Sequence, residues 1–75
     1  MILRVECYSG HKGEERPVRF RLDGADHVIE EVLDQWYGLE ARFFKVRADD
    51  GNYYILRRNE SPQAEEWSLE SFRRG

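Results

Sequence analysis

Apolar residues recurring at every second position, cut into short runs by Asp-Gly pairs, leave this chain few options other than a set of antiparallel strands. The cleanest run follows Pro17, where Val18, Phe20 and Leu22 alternate with Arg19 and Arg21, and proline is tolerated as the first residue of a strand. Asp23-Gly24 ends it. A two-residue loop of the primed type there pairs Leu22 with Ala25, Phe20 with His27 and Val18 with Ile29, placing all six on one face. Leu3, Val5 and Cys7 alternate with Arg4 and Glu6 in the same way and predict a first strand. Residues 9–16 hold no apolar side chain and two glycines, which predicts an exposed, flexible loop.

After Ile29 the period breaks, because Val32, Leu33 and Trp36 follow at spacings that also suit one side of a helix. Two readings stay open. A β-bulge at Glu30-Glu31 returns Val32 and Trp36 to the Ile29 face and bends a long strand, whereas a helix from about Val28 to Tyr37 needs a cap that only Asp26 offers. The bent strand is preferred, and Gly38 ends the element in both.

Phe43 to Arg47 and Tyr53 to Leu56 flank Ala48-Asp49-Asp50-Gly51-Asn52, the strongest turn signal in the chain. A three-residue loop with Gly51 in the left-handed conformation sets Val46 opposite Tyr54 and gathers Phe44, Val46, Tyr54 and Leu56 inward. That register puts Phe43, Tyr53 and Ile55 with Lys45, Arg47 and Arg57 on the opposite face, an aromatic surface edged with cations. Residues 59–66 read as a polar link around Ser61-Pro62. In a last strand Trp67, Leu69 and Ser71 alternate with Ser68, Glu70 and Phe72, and residues 73–75 are expected to fray. Five or six strands joined by short loops suggest an all-β fold, an antiparallel meander curled into a small SH3-like barrel or roll. An open sheet with one covering helix at about Val28 to Tyr37 is the alternative.

At 75 residues the chain has room for a single core, so residues 1–75 form one domain, and a domain this small gains from burial against a partner. The lone Cys7 cannot close an internal disulfide, which points to a reducing, cytoplasmic setting. A charge follows three residues after Met1, too soon for a signal peptide or a membrane span. The net charge of −3 argues against a dedicated phosphate-backbone binder. Ten of the twelve basic residues are arginine, and cross-strand pairs with the fifteen acids are their expected role.

Chemistry-bearing residues are sparse. Cys7 and His11 suggest a thiolate and its base, but Cys7 shares the inward parity of Leu3 and Val5, so it reads as a small buried hydrophobe. One cysteine and two histidines are too few for zinc, and His27 reads as a core-edge residue. Glu30, Glu31 and Asp34 lie close together, yet adjacent strand residues point to opposite faces, so they read as solvated acids. Neither a glycine-rich phosphate loop nor a serine nucleophile elbow is present. No catalytic residue, metal or cofactor is assigned.

The succession Pro17-Val18-x-Phe20, Asp23-Gly24, Ile29-x-x-Val32-Leu33-x-x-Trp36, Phe44-x-Val46, Gly51-x-x-Tyr54-x-Leu56 and Trp67-x-Leu69 resembles an uncharacterised family of short bacterial domains. The likeness covers about Pro17 to Phe72; a tyrosine usually stands near the place of His27 in that family, and its third strand is often richer in tryptophan. The resemblance implies no established activity, although some members accompany error-prone DNA polymerase genes. The matching positions are apolar residues and turn glycines, which explain a fold and leave function untouched.

The functional expectation therefore rests on the face of Phe43, Lys45, Arg47, Tyr53, Ile55 and Arg57. A protein partner or a second copy of the chain could bury the rings, with arginine at the rim. Single-stranded nucleic acid could instead stack bases on them while the guanidiniums hold phosphates, which would make the chain a nucleic-acid-associated accessory domain. The bland alternative is that the barrel or the first strand covers these side chains. The leading expectation is a non-enzymatic module acting by protein contact.

Overall fold

A computed structural model describes residues 2–9, 15–61 and 64–75. Six antiparallel strands follow one another, β1 (Ile2–Ser9), β2 (Glu15–Leu22), β3 (Ala25–Gly38), β4 (Ala41–Ala48), β5 (Tyr53–Ser61) and β6 (Ala64–Arg73). Each pairs with its neighbours in sequence, and β6 returns to β1, closing an SH3-like barrel. The helix considered for residues 28–37 is replaced by strand throughout.

Turn chemistry sets the registers. Asp23 and Gly24 both adopt positive φ (50° and 78°), as the primed two-residue turn requires, and Leu22 faces Ala25 while Phe20 faces His27. The expected Val18–Ile29 pair does not extend this ladder. β2 and β3 part after Arg19↔Val28, and Val18 is skipped where β1 shifts register between Glu6 and Cys7. β2 begins at Glu15 and β1 runs to Ser9, so both strands intrude on the expected 9–16 loop, of which residues 10–14 lie outside the described residues.

Between β4 and β5 the amide of Gly51 donates to the carbonyl of Ala48 at 3.0 Å and that of Ala48 to the carbonyl of Asn52 at 3.0 Å. Gly51 has φ +82°, and Val46 faces Tyr54. This is the three-residue loop read from the sequence. Phe44, Val46, Tyr54 and Leu56 are accordingly buried, together with Leu3, Phe20 and Ala48, and Val5, Leu22, Ile29, Val32, Trp67 and Leu69 pack around them.

Two sequence expectations fail at bulges. β3 shifts register against β4 twice, between Ile29 and Glu31 and again between Val32 and Asp34. The first bulge keeps Val32 with Ile29, as expected, but the second turns Trp36 to the opposite face, where it pairs with Phe43. In β6 a shift opposite Ile55/Leu56 leaves Leu69 facing Leu56 and Phe72 facing Tyr54, so Ser71 does not share the Trp67 and Leu69 side. The polar link expected at 59–66 is largely strand, because β5 runs to Ser61 and β6 starts at Ala64.

Candidate interaction face

Strand alternation and the β4–β5 register gather the six side chains singled out from the sequence. Phe43 stands opposite Arg57, Lys45 opposite Ile55 and Arg47 opposite Tyr53, all on the side turned away from the core. β1 joins β6 edge-on through Ile2↔Ser68 and Leu3↔Trp67, so it extends the sheet instead of lying across this face. The barrel closes around the other side of β4 and β5.

Trp36 completes the apolar part of the face. Its ring stacks on Phe43 with centroids 5.5 Å apart and planes 9° from parallel, and it remains 37% exposed. The sequence reading missed it because one bulge, not two, was expected in β3. The broken spacing of Val32, Leu33 and Trp36 was the available signal. Gly38 supports the stack: a Cβ there would lie 2.8 Å from Cε2 of Phe43, so only glycine leaves the ring its seat. Leu33 and Leu39 add further exposed apolar surface along β3 and its turn, whereas the exposed Tyr37 stands across from Arg42 on the opposite side of the sheet.

Further along the face a depression of about 340 Å³ is lined by Lys45, Tyr53, Ile55, Ser71, Phe72 and Arg73. Tyr53, Ile55 and Phe72 give it an apolar lining, and Lys45 and Arg73 contribute two cations. Arg47 differs from the other cations. Its Nε lies 3.7 Å from Glu30 and one Nη lies 3.3 Å from Glu31, so the bulge brings both acids to one arginine instead of sending them to opposite faces. Arg19–Glu6 and Arg21–Asp26 form similar exposed cross-strand pairs at 3.9 and 3.7 Å, the role expected for much of the arginine.

A polar cluster sits apart, where the β4–β5 turn meets β3. His27 stacks on Phe20 at 5.1 Å and directs Nδ1 to Oδ2 of Asp50 at 3.5 Å and Oδ1 of Asp49 at 3.8 Å. Its Nδ1 thus faces two carboxylates. The Tyr54 hydroxyl donates to Asp50 at 2.5 Å, and the Asn52 amide donates to the same carboxylate at 2.9 Å. Burial pushes the Asp50 carboxyl up, but the hydrogen bonds from Tyr54 and Asn52 and the nearby His27 outweigh it, and Asp50 ionises below its ordinary 3.8. Burial together with the hydrogen bond to Asp50 and that residue's charge pushes Tyr54 up to about 12. These groups fasten a turn to the core.

Cys7 is half-buried, and its suggested base His11 lies outside the described residues. Among the described residues no three His, Cys, Asp or Glu side chains converge as metal ligands would. No described helix is long and apolar enough to cross a membrane. Comparison with protein families, curated proteins and solved structures finds no match for this chain.

Proposed function

We propose that this chain is a non-enzymatic self-association module that pairs with a second copy through the outer face of β3–β6, in a reducing, cytoplasmic setting suggested by the lone Cys7. The observation that carries the reading is the stacked, part-exposed Trp36–Phe43 pair beside the apolar depression at Tyr53 and Ile55. Large rings at the centre of a patch and cations at its edge are the composition of protein contact surfaces.

Three features favour a second copy as the occupant. Asp34 and Lys45 stand opposite each other on this face, so it carries both signs and can complement itself about a twofold axis. β2 leaves β3 at Val28, so the rest of β3 adjoins the patch with β4 as its ladder partner on one side. A 75-residue domain also gains proportionately from burying further apolar area. Nucleic acid is the weaker reading, because Glu30 and Glu31 neutralise Arg47, one of the guanidiniums it would need.

Sedimentation and light scattering over a range of concentrations test this. The parent chain should dimerise, and Phe43→Ser and Tyr53→Ser should each shift it to monomer while leaving the fold intact. A parent chain that stays monomeric, or variants that dimerise as it does, would sink the reading. Saturable, salt-sensitive binding of a single-stranded oligonucleotide by a monomeric parent would favour the nucleic-acid reading.

A further inference from the structure

We infer that the depression at Tyr53 and Ile55 is a binding site for a small organic carboxylate with an apolar body. Its lining follows from two adjoining registers. Across β4 and β5 Lys45 stands opposite Ile55 and Arg47 opposite Tyr53, while across β5 and β6 Ser71 stands opposite Ile55 and Arg73 opposite Tyr53. Tyr53 and Ile55 therefore run between cations carried by both neighbouring strands. Ser71 and Arg73, two residues apart on β6, point to the same face. At about 340 Å³ the hollow has the size of a small-ligand site.

The charge of this hollow is uncompensated. Arg47, in the same row as Tyr53 and Arg73, is held by Glu30 and Glu31 at 3.7 and 3.3 Å, whereas among the described residues the side chains of Lys45 and Arg73 have no ion pair, hydrogen bond or ring contact. Both are exposed, so a ligand can reach them. Among the described residues no Asp or Glu lines the depression. Asp34, the register partner of Lys45 on β3, turns Oδ1 to the amide of Gln35 at 2.8 Å. Arg73 is also not on a loose end. Gly75 donates its amide to Oδ1 of Asn52 at 3.1 Å and lies against the Tyr53 ring, which ties down the end of β6 and holds Arg73 at the rim.

The chemistry of the place selects a carboxylate on an apolar body. The guanidinium fork of Arg73 matches the two carboxylate oxygens, the Ser71 hydroxyl beside it is a further donor, and Lys45 adds attraction from across β5. The body gains burial against Tyr53, Ile55 and Phe72, which a bare phosphate would leave unused. Asp34, Glu30 and Glu31 border the same region and disfavour an extended polyanion. This inference goes beyond the self-association reading, since it requires no second copy, yet both use one surface, so the ligand should compete with a dimer.

Phenylacetate is the probe, titrated at constant ionic strength into the full chain and followed by NMR and by light scattering. Saturable shifts centred on Lys45, Tyr53, Ile55, Ser71 and Arg73 are expected. Acetate, which lacks the body, and phenylacetamide, which lacks the charge, should each bind about tenfold more weakly or worse. Arg73→Met should weaken phenylacetate binding by about tenfold and Lys45→Met severalfold, and both side chains are exposed, so the variants should fold. Acetate binding as tightly as phenylacetate, or an Arg73→Met chain that binds as the parent does, would overturn the assignment. A dimeric parent whose spectrum and mass phenylacetate leaves unchanged would overturn this site and leave self-association standing; a monomeric parent that binds it saturably would do the reverse.

Discussion

Tyr54 carries two jobs on one ring. Its aromatic body packs edge-on against Phe20 at 4.9 Å and beside Phe72 at 5.1 Å, while its hydroxyl donates to Asp50. The two shifted groups predict opposite pH edges. Tyr54 ionises at about 12 when folded against 10.0 ordinarily, so its contribution is complete below pH 10 and is lost as pH rises towards 12. Asp50 ionises more readily when folded, so its contribution is present above its ordinary 3.8 and is lost as pH falls through the lower folded value. Urea unfolding across pH should show the alkaline loss in the parent chain and a shallower one in Tyr54→Phe. Equal slopes in the two proteins would contradict the assignment. Leu56, fully buried, should cost about 2–5 kcal/mol as Leu56→Ala in the same assay.

At the scale of elements, the turns and bulges decide which side chains meet. Gly51 holds φ +82°, so Gly51→Ala should destabilise the β4–β5 hairpin by about 1–2 kcal/mol although nothing lies within 4 Å of the added Cβ. Glu40 holds φ 50° in the β3–β4 turn without the local hydrogen bonding that lets Asp occupy that region. Glu40→Gly should therefore be neutral or stabilising by up to about 1 kcal/mol, measured by thermal unfolding, and a clear loss would show that the Glu40 side chain contributes something else. The Asp-Gly turns were legible from sequence because few dipeptides tolerate those angles. The bulges at Leu33 and Glu70 were not, since an extra residue in a strand carries no composition of its own. That is why Trp36 was assigned to the wrong face and Phe72 to the wrong side of β6.

For the whole molecule, the closing seam is its slenderest part. β1 meets β6 through Ile2↔Ser68 and Leu3↔Trp67, whereas β4 and β5 pair along seven successive residues. Hydrogen exchange should thus be faster at the β1–β6 seam than at Phe44 and Val46, and protection that is uniform around the barrel would argue against an opening there. Leu3, buried at that seam, should widen the difference when changed to Ala.

By itself the sequence determined the strand class, the two Asp-Gly turns, the inward set of Phe20, Phe44, Val46, Tyr54 and Leu56, and the grouping of Phe43, Lys45, Arg47, Tyr53, Ile55 and Arg57. Each of these follows from local alternation or from the backbone angles a turn demands. Only the tertiary structure decided that β6 returns to β1, that Trp36 stacks on Phe43, that Glu30 and Glu31 share Arg47, and that Arg42 faces Arg58 across a strand pair. Those arrangements depend on where a ladder slips by one residue and on which edges meet, and both are set by packing around a common core, not by any short run of residues.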